Sequence, residues 1–342
     1  MYKSMLGIID ATTYYSSMQD LLLHRSLAAV PVGGRYRFID FILSSMVNSG
    51  IDSVAIFPKY QYRSLMDHLG SGKNWDLNRK RDGLFFLPSP ENEVTIEGTG
   101  NFHHFAHHLD FFYRSKQEYA VISECDIVCN MDLKPILDRH IENNVDITEV
   151  TKKGESLNIF IISTSLLIEL IETRLQTGYS SINEVVLDLH HDYALAQYEY
   201  SNYAYKVSSI KEYMDVNMSL LDPSIWKQLF LPQSPIFTKV KDEPPTHYGK
   251  DTIVKNSMVA NGCTIKGNIE SSVIFRSVRV GENSTIKNCI IMQKVQIGEN
   301  CVLEHVILDK DVKVEDNVKL IGTQDNPIVI RKGVIQGELM NS

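Results

Sequence analysis

Cysteine is scarce here, and long apolar runs are absent. The 342 residues include five cysteines (Cys125, Cys129, Cys263, Cys289, Cys301), an odd and scattered set with no paired C-x-x-C spacing for zinc. They read as reduced core residues. No apolar stretch approaches the roughly 20 residues that span a bilayer, and the first residues lack the charged-then-apolar layout of a secretory signal. A cytoplasmic chain with no membrane role is expected. Positive charge is also in deficit, with 34 Lys and Arg against 42 Asp and Glu and a net charge of -8. That balance argues against a nucleic-acid surface, which needs clustered cations to displace counterions, but it leaves room for a local anion site.

What is present divides into two halves of different period. Up to about residue 222, short apolar segments alternate with helical patterns: "SMLGII", "RFIDFILSSMVNSG", "SVAIFP", "YRSLMDHLG", and later "EYAVISE" followed by "LKPILDRHIENN". This is the pattern of βαβ units and a mostly parallel sheet, with ligands expected at the carboxyl ends of the strands. From Val273 the chain repeats in three blocks of 17 residues, aligning Val280 with Ile297 and Val314, Ile286 with Leu303 and Leu320, and Asn283 with Asn300 and Asn317. Such a period reads as coils of a parallel β-helix, each burying its inward side chains against its neighbours. The looser "VANGCTI", with Val259 and Ile265 inward, places the start of the stack near residue 250. The expected domains are residues 1–222, a proline-bearing linker at 223–249, and a β-helix at 250–342.

Glycine is missing at one telling place. After the first strand, phosphate-binding folds use a glycine-rich turn so that backbone N–H groups can approach the phosphates. Here the strand "MLGII" runs into Asp10, Ala11, Thr12, Thr13, Tyr14 and Tyr15.

The order of the two halves, with the segments "AAVPVGGRYRFIDFILSSMVNSGI", "GSGKNWDLNR" and "VKNSMVANGCTIKG", resembles the glucose-1-phosphate adenylyltransferases (ADP-glucose pyrophosphorylases). The resemblance implies an α/β fold, a Rossmann-like nucleotidyltransferase domain of GT-A-like type followed by a C-terminal left-handed parallel β-helix. That family makes ADP-glucose and pyrophosphate from ATP and glucose 1-phosphate with Mg²⁺, as effector-regulated tetramers. Its catalytic motifs are altered here. The L-A-G-G-x-G-x-R-L turn is "IIDATTYYSSM", where the bulk of Tyr14 and Tyr15 and the charge of Asp10 oppose a polyanion. The first lysine of the family's A-K-P-A-V-P-F-G-G-K-Y-R becomes Leu27 in "SLAAVPVGGRYR". G-T-A-D-A becomes "GTGNF", which keeps Gly98 and Thr99 and puts Asn101 in place of aspartate. Gly33 and Gly34 remain as scaffold. One metal-type aspartate is retained as Asp126, but its partner is Lys206, an ammonium that repels a cation and is placed to pair with Asp126. The V-E-K-P sugar grip has no counterpart after Lys153, through deletion or omission of residues.

These losses resemble the GlgD-type branch of that family, the non-catalytic partner of a catalytic chain. The resemblance implies a regulatory or structural subunit of a heterotetramer in glycogen biosynthesis, with no catalytic residues, metal or cofactor of its own and with Mg²⁺ held by the partner. Arg25, Arg35 and Arg37 are candidates for a sugar-phosphate effector site, since guanidinium groups hold phosphate oxygens in pairs; the plainer reading makes them surface or interdomain arginines. His103 with His107 and His104 with His108 have metal-ligand spacing on an expected helix, against a plain helix surface. Trp75 is read as a core or loop anchor before a ligand-stacking ring. The open end of the β-helix, with Ile290 and Ile291, is a candidate subunit interface. Two other functions compete: an active nucleotidyltransferase with an atypical phosphate loop, and a hexapeptide acyltransferase, for which His305 is the one histidine inside the coils.

Overall fold

The computed structural model describes residues 4–79, 81–90, 98–190 and 192–337. The last five residues of the expected β-helix domain therefore lie outside the described residues. The main sheet of the first domain has seven strands: β1 Met5–Ala11, β2 Ser53–Pro58, β3 Gly83–Phe86, β4 Tyr119–Glu124, β5 Ile147–Lys152, β6 Glu155–Ser163 and β7 Leu195–Glu199. Their order is β7-β5-β6-β4-β1-β2-β3. Only β6 runs against its neighbours, β4 and β5; the other pairs are parallel.

All seven residues of β1 are buried because helices cover both sheet faces. Alternate residues supply two cores. Met5 and Ile9 join Val54, Ile56 and Val121 on one side, while Leu6 and Ile8 join Phe57, Phe102 and Phe105 on the other. The helix Phe38–Asn48 starts on a cap in which Asp40 accepts the Arg37 backbone N–H at 2.9 Å, and it stops at Gly50 in the left-handed region.

The second domain is a left-handed parallel β-helix of three sheets, and its coil register follows the repeat. Val280 pairs with Ile297 and then Val314, and Ile286 with Leu303 and then Leu320. Asn283, Asn300 and Asn317 all occupy left-handed turns (φ 60°, 56° and 64°), a conformation asparagine tolerates better than other side-chain-bearing residues. Asn283 also donates to Asn300 at 3.3 Å.

Two expectations need correction. Residues 223–249 are not simply a linker: Pro223–Leu229 is a helix that buries Leu229 in the core shared by the two domains, Ile236 joins the same core, and His247–Tyr248 already pairs with the coil strand Thr264–Ile265. Ile290 and Ile291 are fully buried, so neither belongs to a subunit surface. Ile291 faces the interior of the coils. Ile290 faces outward with Val273, Phe275, Met292 and Ile307, and these residues merge with Leu27, Val32, Phe38 and Tyr213 into one interdomain core.

Candidate functional site

The sheet reverses its winding at β1, with β4 on one side and β2 on the other, so a crevice forms at the carboxyl ends of β1 and β4. Asp10 and Glu124 are paired there. Asp10 does not face the opening. Its carboxylate is buried, accepting from Thr12 N–H (3.1 Å) and Thr12 Oγ1 (2.6 Å) on one oxygen, and from Gly100 N–H (2.9 Å) and Asn101 N–H (3.3 Å) on the other. Burial raises its pKa, and Glu124 pushes the same way. The side chain ties the turn to the Gly98–Asn101 loop, in place of the backbone approach a phosphate turn would make.

The tyrosines part company. Tyr14 is half-exposed, whereas Tyr15 turns inward and donates its hydroxyl to Asp126 Oδ2 at 2.7 Å. A short antiparallel pair, Ile127–Cys129 with Ala204–Lys206, sets Lys206 opposite Ile127 and so beside Asp126. Lys206 Nζ lies 3.9 Å from Asp126 and 3.6 Å from Glu124, so the expected pairing is shared and Glu124 is the nearer partner. Asn158 completes the cluster by donating to Glu124 at 2.9 Å. Burial and the neighbouring Glu124 raise the Asp126 pKa to about 7 against the pull of Lys206 and Tyr15. This set is a poor fit for Mg²⁺: an ammonium stands within 4 Å of both carboxylates, and a phenol occupies one oxygen of Asp126.

The other altered positions have been given structural work. Leu27, where the family motif has a lysine, is buried in the interdomain core. Asn101 caps the helix Phe102–Ala106, accepting from His103 and His104 N–H at 3.0 and 3.2 Å, a task asparagine performs as well as aspartate. Gly98 has φ +115°, and a Cβ there would meet Ser181 Oγ at 2.6 Å. Thr99 donates its backbone N–H to Asn183, while Gly33, at φ +59°, donates to Asn217 at 2.9 Å and leads into Gly34. β5 and β6 join through Lys153 and Gly154 alone, both at positive φ, with Lys152 paired to Glu155.

Of the three arginines proposed for an effector, Arg25 is corrected. It is buried, and its guanidinium makes contacts of 2.8 and 2.9 Å with the buried Asp309 carboxylate of the β-helix. Its charge holds the two domains together and is not free for an anion. Arg37 donates to Ser64 (2.6 Å to the carbonyl), and burial lowers its pKa to about 10. Its charge acts together with those of Arg25 and Arg276 on Lys310, whose pKa burial and these cations push down to about 7. Beside them a cleft of about 350 Å³ separates the domains, lined by the exposed Arg35 with Lys239, Lys241, Arg276 and Gln293; Asp242 and Glu243 are the opposing charges, Glu243 acting on Arg276. The Gln293 Oε1 atom is buried without a partner among the described residues.

The sequence reading overlooked Asp309, Arg276 and Lys310, although the repeat carries a signal for them. Phe275, Met292 and Asp309 fall 17 residues apart, as do Arg276, Gln293 and Lys310. A carboxylate in an otherwise apolar column needs a buried partner.

The "HHFAHH" stretch runs out of the short helix Phe102–Ala106, so His107 and His108 sit in the turn before the helix Leu109–Arg114; His104 is buried and His108 contacts the Pro88 carbonyl at 3.1 Å. Among the described residues, no group of three or more His, Cys, Asp or Glu side chains is placed to hold a metal. Trp75 is a core residue against His68. No helix among the described residues is long and apolar enough to cross a membrane.

The nucleotidyl transferase family profile matches residues 18–156, and the GlmU-like C-terminal hexapeptide profile matches residues 244–327. The chain is 55% identical to the glycogen biosynthesis protein GlgD of Bacillus subtilis (strain 168), over 99% of both chains. It is 57% identical to that of Geobacillus stearothermophilus, over the full length of both. The glucose-1-phosphate adenylyltransferase of Bacillus subtilis (strain 168) is 29% identical over 84% of this chain and 85% of its own. The chain belongs to the glucose-1-phosphate adenylyltransferase family of nucleotidyltransferases, in its GlgD branch.

Proposed function

We propose that this chain is a catalytically deficient regulatory or structural subunit of glucose-1-phosphate adenylyltransferase. It works in cytoplasmic glycogen biosynthesis by association with a catalytic homologue that supplies Mg²⁺ and the active site. One observation carries the reading: Lys206 and Tyr15 cover the acidic pair Glu124 and Asp126 at the switch point, where the family's chemistry needs a metal between carboxylates and phosphates. Asp10, Leu27 and the two-residue hairpin support it, because each substitutes structure for a phosphate or sugar contact.

The effector role is assigned to the interdomain cleft. Arg35, Lys239, Lys241 and Arg276 face it, with Arg37 and Lys310 behind, and a sugar phosphate bound there would bridge the two domains. Such a ligand regulates only by binding one state better than another.

Co-expression with the catalytic homologue tests the partnership. A stable hetero-oligomer is expected, with the homologue's effector response or KM changed by this chain. Separate elution of the two chains, with the homologue's kinetics unaltered, would refute it.

A further inference from the structure

A second cavity, of about 190 Å³, lies beside the remodelled turn, walled by Ala11, Leu22 and Leu27 with Tyr14 and Tyr60 at its mouth and Ser26 on its side. We propose that it binds an uncharged planar ring compound of one or two fused rings. The volume is in the range of an apolar cavity of about 150 Å³ that takes up benzene. Its apolar wall is aliphatic, and two tyrosines, 52% and 38% exposed, border it, with Lys59 Nζ 5.1 Å from the Tyr60 ring centroid.

Charge excludes the alternative of a phosphate. Arg25, which also borders the cavity, is committed to Asp309, and Leu27 stands where a lysine would be needed. An anion would be desolvated without a free counter-charge. Polarity adds one requirement. Ser26 is 8% exposed, and its buried Oγ has no partner among the described residues, so it is placed to make one hydrogen bond to a ring edge. Gln61, at the rim, accepts the Ser26 N–H at 3.2 Å while held at φ 47°, a left-handed conformation uncommon for glutamine. The inference needs no partner chain and stands apart from the regulatory reading.

Ligand-observed NMR on the full chain, with benzimidazole, indene and pyrophosphate as probes, tests it. Benzimidazole and indene are expected to bind wild type and pyrophosphate not to compete. Leu27→Lys, if its melting temperature is that of wild type, should weaken both rings about tenfold. Ser26→Ala should weaken benzimidazole severalfold and leave indene unchanged; this variant carries the test if Leu27→Lys fails to fold. Absence of ring binding up to about 5 mM would overturn the proposal, since that is the weak end of specific recognition. Binding indifferent to a folded variant, or competition by pyrophosphate, would also overturn it.

Discussion

Asp126 shows how a substitution elsewhere changes the meaning of a retained residue. The family resemblance marks it as a metal-type aspartate, yet its neighbours are a phenol, an ammonium and a second carboxylate. Its pKa rises from 3.8 unfolded to about 7 folded, so over roughly pH 4 to 7 the folded chain keeps a proton that the unfolded chain releases. Stability should therefore fall as pH rises through that window. Urea unfolding at pH 5 and pH 8 is expected to show a smaller drop for Asp126→Asn than for wild type; an equal drop would place the titration elsewhere. The pairing of Lys206 with Asp126 was legible from the motif that carries it. The Tyr15 contact was not, because it joins residues 111 apart through the path of a turn that no period or propensity specifies.

Elements with a fixed period were the most legible. A 17-residue coil must return its inward positions to the same place, so Val280, Ile297 and Val314 announce their pairing in one dimension. The same logic gives a prediction at Asn300, held at φ 56°. Asn300→Gly should be close to neutral, whereas Asn300→Val should cost about 1–2 kcal/mol, the penalty of a left-handed conformation for an ordinary side chain. Thermal unfolding of the two variants checks this. Irregular stretches were less legible. The segment at 223–249 reads as linker because its prolines and polar residues hide a seven-residue helix and a first coil strand of only two. The two-residue hairpin could be recognised only once Lys152 was seen paired with Glu155 across the turn.

Across the whole molecule, the two domains share an apolar core and a buried ion pair, so they should unfold together. Arg25 stood as an anion-binding candidate beside an interdomain reading, and nothing local decides between the two; its partner lies 284 residues away. Arg25→Ala should destabilise by about 3–5 kcal/mol by leaving Asp309 buried and unpaired, while Arg25→Met with Asp309→Leu should recover most of that loss. Denaturant unfolding of the single and double variants measures the difference. The cleft yields a proton-linked prediction. Lys310 has its pKa pushed down to about 7, so a phosphate docking nearby should raise it and draw a proton from solvent at pH 8. Calorimetry with a sugar phosphate in buffers of different ionisation enthalpy should detect uptake in wild type and less in Lys310→Met.

The central claim is that this chain's own side chains occupy the place where its family holds metal and triphosphate. Pyrophosphate release by the purified chain alone, with ATP, glucose 1-phosphate and Mg²⁺ over long incubation, tests it most directly. No release above the enzyme-free blank is predicted. Sustained release, abolished by Asp126→Ala, would show that Tyr15 and Lys206 belong to a working site and would contradict the account.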